Sequence, residues 1–95
     1  MFGQLIRLKV QPAKVAEFEA LVSTLVANIR TNEPEPKIYE VRRAAEALTY
    51  VYFISFTSKE AYQAYADAPY HRDAAPAIMA CLDGDPVYET LASFY

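Results

Sequence analysis

Apolar and polar residues alternate along Phe2–Val10, with Ile6, Leu8 and Val10 on one side and Arg7 and Lys9 on the other. A period of two is the mark of a strand. From Val15 the period changes. Phe18, Leu21, Val22, Leu25, Val26 and Ile29 recur every three or four residues, while Lys14, Glu17, Glu19 and Arg30 fall on the opposite side. That spacing predicts an amphipathic helix, and Pro12 suits its first turn, where a missing N–H costs nothing. The stretch Thr31–Pro36 (TNEPEP) ends it, since two prolines and an asparagine break a helix. Lys37–Arg43 (KIYEVRR) reads as a second strand and Ala44–Ala47 as a turn. Leu48–Thr57 (LTYVYFISFT), dense in aromatic and β-branched residues, reads as a third strand.

Thr57-Ser58-Lys59-Glu60 fits a capping box, with a hydroxyl at the N-cap and a glutamate three residues on, and predicts a second helix over Ser58–Ala68. Pro69 stops it and opens a third, from Tyr70 to about Leu82, which Pro76 either kinks or splits. Asp83-Gly84-Asp85-Pro86 is a turn by composition, and Val87–Phe94 is the last strand. The order β-α-β-β-α-α-β predicts a single α+β domain over residues 1–95. Its expected form is a ferredoxin-like split β-α-β unit, a four-stranded antiparallel sheet with helices on one face.

The third strand adds a second expectation. One face carries Tyr50, Tyr52, Ile54 and Phe56, the other Val51 and Phe53. Helices on one side of a sheet cover one of these faces, and the second would remain as an exposed apolar patch. A homodimer packed through the outer sheet face covers it. In the other reading, the outer face is amphipathic tyrosine that tolerates water.

Composition narrows the possible chemistry. Apolar residues make up 54% of the chain, above the usual ~45–50%, which again asks for extra burial. The net charge is −3 and only Arg42 and Arg43 are adjacent cations, so no basic stripe for nucleic acid is present. A lone Cys81 rules out a disulfide framework. With no signal-peptide pattern in the opening residues, a reducing, cytoplasmic setting is expected. No apolar run reaches the ~20 residues of a bilayer span. One histidine and one cysteine do not make a metal site. Gly3 and Gly84 alone cannot form a phosphate-cradling loop. No cofactor is therefore expected.

Projected at about 100° per residue, the third helix collects Ala75, Ile78, Met79 and Leu82 into an apolar arc with His71 near its centre, while Arg72, Asp73 and Ala80 point away. A histidine in a first helical turn sits where the dipole disfavours positive charge, so His71 is the candidate general base. Alternatively it is a core-edge histidine bonded to a backbone carbonyl. On the second helix Ala61, Ala64, Tyr65 and Ala68 form the expected inner face. Three alanines around one tyrosine would leave room for a pocket. Tyr65, Tyr52 and Ile78 are the expected lining, with Tyr65 equally readable as packing. Arg7, in the row of Gly3, Leu5 and Lys9, would hold an oxyanion if that row faces the pocket and would be a rim residue if it faces outward. Arg42 and Arg43 point to opposite faces, so at most one lines the same cavity. Cys81 reads as a small core residue.

Tyr39-Glu40-Val41-Arg42, the run FISFTSKEAYQAYADAPYHRDA (Phe53–Ala74) and a closing strand after a proline together resemble the antibiotic biosynthesis monooxygenase domain. The best signature is the strand, capped helix and small-Pro-x-His-Arg sequence at Thr57–Arg72. The resemblance covers nearly the whole chain and implies a dimeric α+β barrel. The family includes cofactor-independent oxygenases of quinols and polyphenols, haem degraders and isomerases. Haem-degrading members carry a tryptophan on the second helix, a histidine on the third and an asparagine on the first strand. Here Tyr65 and Ala75 stand at the first two positions, and Phe2–Val10 contains no asparagine. The resemblance thus implies a cofactor-independent monooxygenase acting on a small electron-rich, quinol- or phenol-like aromatic. Quinol-oxygenase-like members often carry a histidine where this chain has Tyr65. The alternative is a dimer that binds or isomerises a small hydrophobic molecule, or a non-catalytic structural module.

Overall fold

The computed structural model describes residues 2–33 and 36–95, with side chains at all of these except 36 and 37. Pro34 and Glu35, read above as part of the break after the first helix, lie outside the described residues. The elements are β1 (Phe2–Lys9), a 3-10 turn (Pro12–Lys14), α1 (Val15–Asn32), β2 (Pro36–Arg43), β3 (Thr49–Phe56), α2 (Lys59–Asp67), α3 (Pro69–Ala80) and β4 (Val87–Ala92). The order is the predicted one. All neighbours in the sheet are antiparallel, in the order β2-β3-β1-β4. Among the described residues no helix is long and apolar enough to cross a membrane.

Register decides what each face shows. In β1, Ile6 lies opposite Tyr52 of β3 and Tyr88 of β4, and Leu8 lies opposite Tyr50. Tyr50, Tyr52, Ile54 and Phe56 are buried with Ile6 and Leu8 in the one core, so this is the face the helices cover. On the other face Leu5 pairs with Phe53, Arg7 with Val51 and Val87, and Gly3 with Leu91. Phe53 is 44% exposed, Leu91 46% and Ile38 49%. The even-numbered row of β3 therefore belongs to the interior.

α1 seats Phe18, Val22, Leu25 and Ile29 on the sheet, the stripe its spacing predicts. Phe18 meets the Tyr50 ring with centroids 4.7 Å apart. The helix continues through Asn32 rather than stopping at Thr31. Its final polar residues bond back into the helix: Thr31 Oγ1 donates to the Ala27 carbonyl at 3.0 Å, and Asn32 Nδ2 to that of Asn28 at 2.8 Å. They satisfy themselves within the last turn instead of opening it.

The cap of α2 is one residue later than expected. Ser58, not Thr57, is the N-cap, and its Oγ accepts from the Ala61 N–H at 3.0 Å. Glu60 then sits one position too early to reach back, and the capping box does not form. α3 runs through Pro76 unsplit and ends at Ala80. Pro76 is exposed, which leaves the carbonyl it cannot serve on the solvent side. Leu82 instead bridges Val10. β4 stops at Ala92, opposite Phe2, short of the expected Phe94.

Candidate functional site: a tyrosine-lined cavity

α2 and α3 stand over β1, β2 and β3 without filling the space beneath them. A cavity of about 150 Å³ remains. The sheet supplies Ile6, Leu8, Tyr39, Tyr52 and Ile54. Tyr62 and Tyr65 come from α2, and His71, Ala75 and Ile78 from α3. Met79 and Tyr88, 49% and 57% exposed, mark its mouth beside Pro86. Among the described residues no Asp, Glu, Lys or Arg lines it. Its polar groups are five tyrosine hydroxyls and one imidazole.

Those groups are tied to one another. The Tyr39 and Tyr65 hydroxyls share a 2.6 Å hydrogen bond. The Tyr65 ring stacks on Phe56, centroids 5.3 Å apart, and packs against the His71 ring at 4.5 Å. His71 Nδ1 lies 3.1 Å from the Ala66 carbonyl oxygen. A carbonyl only accepts, so the partner assigns the hydrogen to Nδ1 and leaves Nε2 as the atom with a free lone pair. The two sequence readings of His71 thus coincide: one nitrogen bonds the backbone, and the ring lines the cavity. Tyr62 donates to Gln4 Oε1 at 2.9 Å. The Tyr52 hydroxyl makes no hydrogen bond to another described residue and is not a sealed, unpaired polar atom. That leaves it open to the cavity.

Burial keeps these phenols protonated. It pushes Tyr39 up to about 12 against the opposing bond from Tyr65. It raises Tyr52 and Tyr65 further still. The charged phenolate is disfavoured in an apolar chamber, so these hydroxyls act as hydrogen-bond donors.

Of the residues predicted for the site, His71, Tyr65, Tyr52 and Ile78 come together here. Arg7 does not. It is exposed on the far face of the sheet, opposite Val51 and Val87, because odd-numbered residues of β1 point away from the helices. Arg42 also lies outside, paired with Glu40 at 3.0 Å. Arg43 is held at the α1 edge by Glu19 at 2.8 Å. No arginine reaches the cavity to hold an anion. Ala64, expected inside, is exposed, and Tyr62 packs against the core instead. Nothing in the sequence pattern alone assigns Tyr39, Tyr62 or Tyr88 to the site. The alternation of Tyr39 with Val41 was the one signal that could have placed Tyr39 inward. Among the described residues no three His, Cys, Asp or Glu side chains are grouped to hold a metal ion.

Comparison with known proteins then decides the family. The profile for antibiotic biosynthesis monooxygenase matches residues 1–77. The chain belongs to the antibiotic biosynthesis monooxygenase family. A candidate antibiotic biosynthesis monooxygenase from Caulobacter crescentus has a similar structure, with TM-score 0.93 and 33% identity, over 99% of this chain and 90% of that one. Rv0793 from Mycobacterium tuberculosis matches with TM-score 0.90 at 17% identity, over 99% and 95% of the two chains. SnoaB, a cofactor-independent oxygenase from Streptomyces nogalater, matches with TM-score 0.80 at 19% identity, over 99% and 93%. The last two share the fold of this antibiotic biosynthesis monooxygenase family member. No curated protein sequence matches the chain.

Proposed function

We propose that this protein is a monooxygenase that oxidises a small electron-rich phenol or hydroquinone with dioxygen and without a cofactor, inside the tyrosine-lined cavity. One observation carries the reading: among the described residues that line the chamber none is charged and the only base is His71, whose Nδ1 bond to Ala66 leaves Nε2 free. The fold shared with SnoaB supports it. His71 Nε2 takes the phenolic proton, and buried tyrosine hydroxyls donate to the phenolate oxygen in place of an arginine. The electron-rich anion passes one electron to dioxygen. Aryl radical and superoxide then join through a new C–O bond. The O–O bond breaks as the ring carbon that bears the peroxide loses its own C–H proton, which leaves a carbonyl at that carbon. The departing oxygen takes two protons, one of them returned by His71, and leaves as water. Phenol and dioxygen thus become quinone and water.

His71→Asn tests this. Asn can still donate to the Ala66 carbonyl but offers no base. Turnover of a hydroquinone should fall roughly 10²–10⁴-fold, with the melting temperature nearly unchanged. Turnover equal to that of the parent would overturn the assignment. A second reading, binding or isomerisation of a small apolar molecule, is favoured by the lack of a cation among the described residues that line the cavity. Oxygen uptake during turnover separates the two.

The assembly belongs to the same proposal. Leu5, Val51, Phe53, Ile38 and Leu91 form an apolar patch on the outer sheet face, which also carries Arg7, Glu40 and Arg42, and a second copy covers it, giving a cytoplasmic homodimer. Sedimentation should show a dimer at micromolar concentration, and Phe53→Asp should yield monomer or unfolded chain. A parent protein sedimenting as a stable monomer would refute the dimer.

A further inference from the structure

We infer that Tyr39 is a positioning residue for His71, acting through Tyr65, an inference that rests on the reading of His71 as the base. One hydrogen bond does not fix the pose of an imidazole. His71 Nδ1 lies 3.1 Å from the carbonyl oxygen of Ala66, in the last turn of α2, where carbonyls have no partner further along the helix. That bond spans the single residue, Ala68, at which α2 ends and α3 begins. It pins one corner of the ring and leaves the plane free to turn about it. The plane is set by Tyr65, whose ring meets that of His71 with centroids 4.5 Å apart and planes inclined at 59°.

Tyr65 in turn depends on the sheet. Its ring stacks on Phe56, with centroids 5.3 Å apart and planes at 26°. Its hydroxyl, on a side chain only 2% exposed, bonds that of Tyr39 at 2.6 Å and no other described residue. Tyr39 is itself buried and is held opposite Ile54 by the pairing of β2 with β3. The path from the sheet to the base thus crosses three elements: Tyr39 on β2, Tyr65 on α2, His71 on α3. Tyr62, also on α2, donates to Gln4 instead and stands beside this path, its ring 6.0 Å from that of Tyr65.

What Tyr39 supplies is a partner for the Tyr65 hydroxyl. Without it, Tyr65 would carry a buried polar group with nothing to bond, which costs more than the bond itself contributes. The ring would leave its stack to find another partner, and His71 would lose the face that holds its plane. Removal of both hydroxyls leaves no orphaned group, so a phenylalanine at position 65 stays on Phe56 and against His71.

His71 is the one histidine of the chain, so ¹⁵N spectra of the intact protein read its ring nitrogens directly at a pH where the imidazole is neutral. The parent should show a single form protonated on Nδ1, with nuclear Overhauser contacts between the His71 and Tyr65 rings. Tyr39→Phe should lose that single form, the proton dividing between Nδ1 and Nε2, and the ring contacts should weaken. Its turnover of a hydroquinone should fall by about 10²-fold, the scale of an ångström's misplacement. Tyr39→Phe/Tyr65→Phe should recover the Nδ1 form, and Tyr62→Phe should keep it. The imidazole spectrum is the deciding readout, because a missing phenol would also slow turnover as a donor lost to the substrate. Tyr39→Phe with the parent's spectrum would overturn the inference, as would a double variant as divided as the single one, or Tyr62→Phe equally divided. If Tyr39→Phe does not fold, the double variant decides alone: the Nδ1 form supports the inference and a divided proton overturns it. If the spectra behave as expected but His71→Asn keeps full turnover, the positioning stands and the base reading fails. If His71→Asn abolishes turnover while Tyr39→Phe leaves the imidazole unmoved, the base reading stands and the positioning fails.

Discussion

The two halves of the helical layer rest on the same face of the same sheet and treat it in opposite ways. α1 presses Phe18, Val22, Leu25 and Ile29 onto it, each between 0% and 6% exposed. It keeps its polar partners, Glu19 and Arg43, at the rim. α2 and α3 bring one buried side chain each, Tyr65 and Ile78, with the short Ala61, Ala66 and Ala74 filling in around them. The first half is held by close packing. The second is held by tethers: Tyr39 to Tyr65, Tyr62 to Gln4, and His71 to the Ala66 carbonyl. A ring tethered by its tip cannot fall into the space beside it, and an alanine cannot reach across it. A void can therefore persist in so small a domain, provided that polar bonds rather than dispersion contacts set its walls.

Substitutions on the two sides should separate accordingly. The largest effect is expected from Phe18→Ala, which should lower unfolding free energy by about 3–5 kcal/mol in denaturant titration with activity per folded molecule unchanged. That is a large part of the ~5–15 kcal/mol that domains generally possess. Next come two enlargements with opposite signs. Ala75→Leu fills the void and should stabilise by about 0.5–2 kcal/mol while abolishing ring binding in calorimetry. Ile29→Phe, at a fully buried position, overpacks the filled half and should cost about 1–3 kcal/mol. If both enlargements moved stability the same way, the contrast between the halves would be lost.

The smallest effect lies at the rim of α1. The Arg43 guanidinium, with help from the Tyr50 hydroxyl, holds the Glu19 carboxyl down at about 2. A carboxyl depressed in the folded state stabilises above its ordinary 4.5 and loses that contribution as pH falls from there toward 2. Glu19→Gln should flatten this acid limb slightly. Because the pair is exposed, added salt should reduce the difference between variant and parent. An acid limb that is unchanged in the variant would mean the pair does not couple to folding.

The elements and the core were legible because two periods carry them. Alternation marks β1 and β3, and the recurrence of Phe18, Val22, Leu25 and Ile29 marks α1. The same projection places His71 inward, since it lies on one arc with Ala75, Ile78, Met79 and Leu82. Arg7 was undecidable for a physical reason. β3 is apolar on both faces, so alternation separates the rows without saying which the helices take. The tyrosines escaped for another. A phenol is amphipathic and fits a half-buried position anywhere. Tyr39 gains its meaning only from Tyr65, on a different element. On α2 the larger Tyr62 turned inward at the expense of Ala64, a choice made by the packing rather than by the count of alanines. The cap moved from Thr57 to Ser58 because two hydroxyls stand side by side, and either could have started the helix.

The place of β1 in the sheet bears on how the chain is made. Its two neighbours, β3 and β4, both come from much later residues, and Phe2 finds its place opposite Phe56 and Ala92. Contacts so far apart in sequence form slowly, because the long intervening loops must close first. On the ribosome α1 can coil as soon as it emerges, but β1 waits with both edges unpaired until β3 and then β4 arrive. During that interval Leu5, Ile6 and Leu8 offer an apolar strand to any other chain nearby. Variants that slow the arrival of β4 should thus lower the yield of folded protein even where the finished molecule is as stable as before.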